Sequence, residues 1–502
     1  MIVQLAYRPV IIFPDSEYYL AFARDWTVPG TVRVTGYSLF LLPLVHLHRI
    51  GVVAAVQHAL GLGTAIAVYA ALLRLGCRRW LATVATIPVL FDPLQLILEQ
   101  YLLPDTVAMF FVAVGLTLLV WRRGAIRWWM AALSGLLLAY AGLTRDGMVL
   151  VLIPAALYVL FSERGWRRRI RTTAVFSVAG LAPLLAYLGW YHAARGVWGV
   201  SEYSDRFLYA RVAEFANCSG LSLPSYERPL CPRHPAPKDQ NYYMWSLSSP
   251  QWKLKPPPGK TAIQVLRDFD HRILEHQPLS LARVSLDDFL YGFSPTRGLG
   301  PEHLADWYFM FQPSYPHNLA DADNWIFAFG GSPAGVNRPL ARFMSDYGVG
   351  YVPGPVFAVG LVVGLAGAVG VAGARRSGLR LSCALFAVGA LACVAVPDVI
   401  SAFSWRYQVP QLALLPAAGA LGWTAMRSRR LRAGASPDVV EVTEPVTGRT
   451  APVTGRNAPV TGRTAPSAVG PEAATPGAGA GNPSAAAGTP GAAAGNPGTA
   501  DG

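Results

Sequence analysis

Charged residues are scarce in this chain, and their scarcity excludes an ordinary soluble protein. Only 14% of the 502 residues are charged, whereas 53% are hydrophobic. A typical soluble domain has about 25% charged residues. The apolar residues also occur in continuous blocks and not in the amphipathic stripes that pack a soluble core. The composition therefore predicts a membrane protein.

Several short motifs are also missing, and each absence excludes a class of function. There is no Walker loop and no Gly-x-Gly-x-x-Gly segment opening a helix after a strand, so a nucleotide has no evident binding loop. Neither His271 with His276 nor His46 with His48 has the spacing of a zinc site, so no metal ligand is predicted. The first residues lack the features of a cleavable signal peptide, so the spans themselves are expected to direct insertion.

Five arginine clusters separate the uncharged stretches of the chain. They occur at residues 74–79, 122–127, 164–171, 375–380 and 427–432. The stretches between them approach the roughly 20 residues that a helix needs to cross about 30 Å of hydrocarbon. Arginines in short loops are retained in the cytoplasm, which explains the net charge of +13 without a nucleic-acid partner.

This pattern predicts an all-α polytopic membrane protein with about ten transmembrane helices. Nine spans are predicted at 51–73, 80–98, 104–121, 128–143, 147–161, 172–191, 351–373, 381–397 and 408–426. Residues 1–14 reach only about 20 Å, so we expect them to be the end of a further span that begins upstream. Residues 36–48 are expected to form an interfacial helix, because Pro43 interrupts a short apolar segment.

Four regions follow from this arrangement. We expect an N-terminal transmembrane catalytic module at 1–191, a large external loop subdomain at 192–350, C-terminal transmembrane helices at 351–426 and a disordered cytoplasmic tail at 427–502. The tail consists mainly of Ala, Gly, Pro, Thr and Ser and cannot bury enough apolar surface to fold. Apolar residues at helical spacing over 261–290 predict a helix that lies on the membrane or caps a cavity.

Two of the five cysteines lie in the external loop. Cys77, Cys383 and Cys393 fall at or within predicted spans, where they serve as small apolar residues. Cys218 and Cys231 are thirteen positions apart, and an external loop is exposed to oxidising conditions. We therefore predict a disulfide between them in preference to two free thiols.

Acidic residues recur at the predicted external ends of the helices. Asp15 follows the first apolar segment, where a carboxylate shielded from water becomes more basic and can accept a proton from a hydroxyl. Glu99 and Asp105 flank the second external turn. For Asp15 and Asp105, capping of the following helix is the alternative interpretation.

Arg145 and Arg406 are external arginines that depart from the positive-inside pattern. A guanidinium at this depth needs a partner, and a lipid phosphate fits that requirement. Structural ion pairs, of Arg145 with Asp146 and of Arg406 with Asp398, account for the arginines equally well. The spacing does not choose between these interpretations.

Four motifs in order resemble the GT-C superfamily of integral-membrane glycosyltransferases, in the branch of protein O-mannosyltransferases and the bacterial aminoarabinose transferase. They are Pro14-Asp15-Ser16-Glu17-Tyr18-Tyr19, Leu103-Pro104-Asp105-Thr106 with Phe110-Phe111, Gly142-Leu143-Thr144-Arg145 followed by Pro154, and Arg406-Tyr407-Gln408-Val409-Pro410. The resemblance covers the layout of about residues 1–426. Members often have two adjacent carboxylates in the first loop, whereas Ser16 separates Asp15 from Glu17 here, so Glu17 receives no role.

The resemblance implies transfer of a sugar from a polyprenyl-phosphate carrier to a glycan, lipid or protein acceptor on the external face of the plasma membrane, with inversion. Asp15 would be the catalytic base. The implied substrate-binding residues are Glu99, Asp105, Arg145, Arg406 and Tyr407. The two arginines would hold the lipid phosphate. Some members use a divalent cation, and no cofactor is assigned to this chain.

Two other classes fit a polytopic chain. A transporter or lipid flippase would show internal repeats or paired broken helices with charges near the bilayer midplane. The polar residues here gather instead at one face. A non-catalytic envelope-assembly protein would use the large loop to bind partners, and replacing Asp15 would then change only expression.

Overall fold

The structure, a computed structural model, describes residues 2–26, 29–30, 32–122, 124–232, 239–297, 306–316, 321–401 and 403–428. Contacts divide the chain into one unit of residues 1–433 and a second of residues 434–502. The second unit and the rest of the predicted tail from 429 onward lie outside the described residues.

Helices form nearly all of the regular structure, which confirms the predicted all-α class. They are α1 (Ile2–Ala6), α2 (Pro14–Arg24), α3 (Gly36–Val45), α4 (Gly51–Arg74), α5 (Arg79–Phe91), α6 (Pro93–Gln100), α7 (Asp105–Val120), α8 (Trp128–Thr144), α9 (Leu152–Ser162), α10 (Trp166–Arg195), α11 (Ser204–Phe215), α12 (Gln240–Trp245), α13 (Ala262–His276), α14 (Pro278–Tyr291), α15 (Ala322–Ala328), α16 (Arg338–Tyr347), α17 (Gly354–Val369), α18 (Ala374–Ser377), α19 (Arg380–Ile400) and α20 (Val409–Met426). Short 3₁₀ turns occur at Asp146–Val151, Arg228–Leu230, Pro250–Trp252, Asp306–Phe309 and Trp405–Gln408. Strands β1 (Tyr7–Arg8) and β2 (Gly335–Val336) pair antiparallel, with Tyr7 opposite Val336.

Three helices, α4, α10 and α19, are long and apolar enough to cross a membrane. α5 and α6 provide a fourth span if they are taken together, with a bend of 47° between them. The bend occurs at Pro93, which has no amide hydrogen to continue the helix. Described helices occupy all nine predicted span positions, but several, such as α7 and α17, are shorter apolar helices, so the count of about ten spans is not confirmed.

The N-terminal residues do not continue a membrane span, contrary to the prediction. α1 ends at Ala6, and β1 then pairs with β2, which lies in the large loop. Pro9 and Pro14 explain the difference, because neither can donate a backbone hydrogen bond within a helix. The short helix predicted at 36–48 is present as α3, with Pro43 near its end.

The large loop contains a buried apolar core of its own. Its largest contributors are aromatic and branched side chains from α11, α12 and α13, including Tyr209, Tyr243, Val265, Phe269 and Ile273. The helix predicted at 261–290 is divided into α13 and α14, because Pro278 cannot continue the hydrogen bonding of α13. Cys218 and Cys231 are joined by a disulfide.

A buried arginine connects this loop to the helix bundle. Arg211, on α11, is only 1% exposed. Its guanidinium donates to Glu214 Oε2 at 2.8 Å, to Asp288 Oδ2 at 2.7 Å and to the carbonyl oxygen of Asp398 at 2.9 Å. A buried cation is stable only when it is paired, so these contacts hold α11 and α14 against the end of α19.

Glycines allow α17 and α20 to pack closely. A Cβ atom at Gly360 would lie 2.6 Å from the carbonyl oxygen of Leu415, and one at Gly422 would collide with the carbonyl of Val363. Small residues let membrane helices approach until their backbones touch. α20 also packs against α5, α7 and α19, so this contact positions the 3₁₀ turn that precedes α20.

We expect Gly422→Val to destabilise the protein by roughly 1–3 kcal/mol or more, because the added side chain would meet backbone atoms that cannot move aside. The control is Gly189→Val on α10, where a Cβ would meet no atom within 4 Å. The measurement is thermal unfolding of the purified variants in detergent. Equal melting temperatures for the two variants would contradict the close packing of α17 and α20.

Candidate active site

A cleft opens where the helix bundle meets the large loop. It contains about 810 Å³ of empty space, part of which is open to solvent. Its walls come from the beginning of α2, the turn after α8, the end of α19, the 3₁₀ turn before α20 and the beginning of α11. Four predicted site residues line it: Asp15, Arg145, Arg406 and Tyr407.

Five charged side chains form one continuous row of ion pairs at this cleft. Arg33 Nη2 and Arg406 Nη1 donate to the two carboxylate oxygens of Asp15, at 2.7 and 3.0 Å. Arg406 Nε also donates to Asp105 Oδ2 at 2.8 Å. Asp105 Oδ1 completes the row by pairing with Arg145. The row thus brings Asp15, Asp105 and Arg145 close together.

Both carboxylates lie in the first turn of a helix, but neither is the N-cap residue that the alternative interpretation predicted. Asp15 follows Pro14 in the first turn of α2, and Asp105 follows Pro104 at the first residue of α7. The positive end of the helix dipole favours an anion at these positions. The N-cap residues are Phe13 and Pro104, and the side chains of Asp15 and Asp105 bind arginines of the cleft, so capping does not account for the two carboxylates.

Both predicted arginines lie just outside helices and are buried. Arg145 directly follows α8, and Arg406 lies in the 3₁₀ turn before α20. Each is 8% exposed. A cation buried to this extent is costly unless paired, and the ion pairs with Asp15 and Asp105 provide that compensation.

The proposed alternative partners of these arginines have other contacts. Asp146 Oδ1 accepts a hydrogen bond from the amide of Gly147 at 2.9 Å. The backbone of Asp398 accepts from Arg211, and its side chain is not part of the row. The arginines are thus held by Asp15 and Asp105, which sequence spacing alone did not indicate.

The ionisation of Asp15 differs from the prediction. Burial by itself raises the pKa of this carboxyl, but the attraction of Arg33 and Arg406 is stronger and lowers the pKa to about 2. Asp15 is therefore a weaker base than expected while both guanidiniums contact it. The expectation of raised basicity considered burial and omitted the two cations.

Tyr407 and Glu99, the other predicted substrate-binding residues, differ in position. The Tyr407 ring lines the cleft and lies against the guanidinium of Arg145. The ring centroid is 4.8 Å from Arg145 Cζ. Glu99 does not line the cleft. Glu99 is buried between helices, where Gln95 Nε2 donates to its Oε1 at 2.8 Å and His58 Nδ1 lies 2.5 Å from its Oε2.

Sequence reasoning missed Arg33, which occupies one end of the row. Its guanidinium contacts Asp15 and also lies over the rings of Phe207 and Trp245, at 5.4 and 5.9 Å from their centroids. Those rings belong to α11 and α12 of the large loop. Arg33 lies outside the five arginine clusters, as Arg145 and Arg406 do, so the argument applied to those two residues would also have selected it.

The described residues contain no group of three or more His, Cys, Asp or Glu side chains that could hold a metal ion. Asp15 and Asp105, the carboxylates of the ion-pair row, are each engaged by two guanidiniums. Their oxygens are therefore arranged for cationic side chains in this structure, and we assign no metal to them.

The comparison with protein families identifies part of this architecture. Residues 50–196, from the start of α4 to the end of α10, match the family of dolichyl-phosphate-mannose-protein mannosyltransferases, a GT-C family. The matched region includes Asp105 and Arg145 but neither Asp15 nor Arg406. The match supports a membrane glycosyltransferase that uses a lipid-linked sugar donor. No curated protein and no solved structure gives a significant match.

The ion-pair row predicts a specific pH dependence of stability. The folded pKa of Asp15 is about 2, below its ordinary value of 3.8, so its ionisation stabilises the folded state above about pH 4. This contribution, roughly 2 kcal/mol, is lost as the pH falls toward 2. Asp15→Asn should therefore be less stable than the wild type at pH 6, and the difference should shrink as the pH approaches 2.

The measurement is thermal unfolding in detergent between pH 2 and pH 7, with Glu17→Gln as the control. Glu17 lies on the same helix but is exposed, so its replacement should not change stability at any pH. A stability difference between wild type and Asp15→Asn that stays constant across this range would contradict the ion pairs of Asp15.

Proposed function

We propose that the protein transfers a sugar from a polyprenyl-phosphate carrier to an acceptor hydroxyl on the external face of the plasma membrane, with inversion at the anomeric carbon. The observation that carries the proposal is the cleft in which the carboxylate of Asp15 pairs with the guanidiniums of Arg33 and Arg406, while Arg145 joins the same row of ion pairs through Asp105. The family match of residues 50–196 supports the same class of reaction.

Arg145 and Arg406 are suited to the phosphate of the donor. Guanidinium groups form paired, charge-assisted hydrogen bonds with phosphate oxygens. Val396, Pro397 and Ile400 provide an apolar wall beside them, against which the first prenyl units could pack. An anionic phosphate would compete with Asp15 and Asp105 for the arginines, so these carboxylates hold the arginines in position for the donor.

In the proposed reaction the bond between the anomeric carbon and the phosphate oxygen breaks, and its electron pair remains on the polyprenyl phosphate. The acceptor oxygen forms the new bond to the anomeric carbon from the opposite face. The acceptor proton passes to the carboxylate of Asp15. Arg145 and Arg406 stabilise the negative charge that develops on the leaving phosphate.

The pKa of Asp15 couples donor binding to catalysis in this scheme. Arg406 lowers the pKa of Asp15 while the two side chains are paired. A phosphate that draws Arg406 away would raise the pKa of Asp15, because burial would then be opposed by Arg33 alone. Asp15 would be a stronger base with the donor bound than without it.

The acceptor is proposed to enter from the side of the large loop. Ser201, Ser204 and Phe207 line that side of the cleft, and their hydroxyls and ring are suited to a polar organic acceptor. The family name describes mannose as the sugar and protein as the acceptor. The proposal also includes a glycan or a lipid as the acceptor. The cytoplasmic placement of the basic clusters and the tail belongs to this proposal.

We expect Asp15→Asn to reduce sugar transfer by at least about 100-fold, since loss of a positioned general base typically removes that much rate. Glu17→Gln, on the exposed face of the same helix, should retain wild-type transfer. The measurement is incorporation of labelled sugar from polyprenyl-phosphate donors by membranes that contain equal amounts of each variant. Transfer by Asp15→Asn at the wild-type rate would reject the catalytic assignment and favour a non-catalytic envelope protein.

Arg145→Gln should raise the KM for the lipid donor by roughly 10- to 100-fold, because a charge-assisted contact to phosphate is lost. Asp105 keeps its ion pair with Arg406, so the variant should still fold. Arg24→Gln, which alters an exposed arginine at the end of α2, is the control. An unchanged dependence of rate on donor concentration would show that Arg145 does not bind the phosphate.

A further inference from the structure

A second cavity lies at the opposite end of the helix bundle from the cleft. Leu381 and Ser382, at the beginning of α19, line this cavity, whereas Pro397 and Ile400, near the end of α19, line the cleft. Ser382 and Pro397 are 15 positions apart on α19, so roughly 22 Å of helix separates the two sites. The cavity contains about 1950 Å³ of empty space, part of it open to solvent.

Positive charge dominates the described lining of this cavity. Four arginines contribute to it, and they are Arg122, Arg164, Arg168 and Arg169. Glu163 is the single carboxylate among the described lining residues. The described lining therefore carries three more positive than negative charges, which makes it attractive to anions.

Glu163 orients two of these arginines and leaves the other two unpaired. Arg168 Nε pairs with Glu163 Oε2 at 2.8 Å, and Arg169 Nε donates to the Glu163 carbonyl at 2.7 Å. Glu163 is only 1% exposed, and its Oε1 accepts from the amide of Ile126. Within the described part of the chain, Arg122 and Arg164 form no ion pair or hydrogen bond.

The position of Arg168 and Arg169 on α10 further increases the positive potential of the cavity. Both lie in the first turns of α10, whose N-terminus is the positive end of the helix dipole. Cations are disfavoured there, and one buried carboxylate cannot neutralise all of them. α19 also begins at this cavity, so two helix N-termini and four guanidiniums face the same space.

The walls of the cavity are suited to an anion that carries an apolar chain. Leu75, Phe161, Leu379 and Leu381 line it together with the arginines. A free inorganic anion would gain nothing from these side chains, whereas a lipid could bury its chain against them. Basic pockets between membrane helices commonly bind the phosphate head groups of lipids.

We propose that this cavity binds the phosphate group of an anionic lipid. The site is separate from the cleft and does not depend on the proposed sugar transfer. Arg122 and Arg164 contact the phosphate directly, and Glu163 holds Arg168 and Arg169 in position beside it. The apolar residues of the wall receive the lipid chain.

The test is lipid binding to the purified full-length protein in detergent, measured by native mass spectrometry with phosphatidylglycerol, phosphatidylcholine and inorganic phosphate as probes. The double variant Arg122→Gln/Arg164→Gln removes two cavity charges that have no described partner. Arg167→Gln/Arg171→Gln is the matched control, since both residues are exposed on the same basic segment but do not line the cavity. Melting temperatures of the two variants establish that both are folded.

We expect phosphatidylglycerol to bind the wild type and the control with equal affinity, and the cavity variant about 10- to 30-fold more weakly. Phosphatidylcholine should bind all three proteins weakly and equally. Equal phosphatidylglycerol affinity in all three proteins would overturn the proposal. Inorganic phosphate that binds as tightly as phosphatidylglycerol would overturn the lipid part and identify a free-phosphate site.

Discussion

The need to neutralise buried charge is the constraint on which the rest of this structure depends. Three guanidiniums and two carboxylates alternate in one row, and the residues that form it come from distant parts of the chain. Arg406 and Asp15, for example, are 391 positions apart. Because an unpaired buried charge is far less stable than a paired one, α2, α7, α8 and the turn before α20 must meet at this point. In the proposed function, the phosphate of the donor replaces a carboxylate as the partner of an arginine in this row.

The arginines at the two ends of the helix bundle differ in how many carboxylates pair with them. At the cleft, Arg33, Arg145 and Arg406 each have a carboxylate partner. At the opposite cavity, the described lining has four arginines and one carboxylate, and only Arg168 pairs with that carboxylate. The paired arrangement compensates buried charge within the protein, whereas the unpaired arrangement underlies our proposal of an anionic lipid at the cavity. In this proposal, the arginines that set the orientation of the protein in the membrane also bind a lipid.

Several features of the fold could be predicted from local sequence because local physics decides them. Helices occupy the nine predicted apolar segments. Pro43, Pro93 and Pro278 lie at or near helix ends and bends, because proline has no amide hydrogen to continue the helical hydrogen bonding. The prediction for residues 1–14 was wrong because an apolar composition alone does not distinguish a span from a strand that pairs elsewhere. Helix lengths were also less predictable than helix positions, since ends depend on neighbours.

The sequence by itself determined the all-α class of the fold, the positions of the helices and most of the charged residues at the cleft. Each of these depends on a local feature, which is a hydrophobic run, a proline or an isolated charge within one segment. Only the tertiary structure decided how those charges pair. It joined Arg33 to Asp15, lowered the pKa of Asp15 where burial alone would have raised it, and placed Glu99 beside His58, away from the cleft. The energy of a charge interaction depends on the distance in space between the two groups. The number of residues between them along the chain does not reveal that distance.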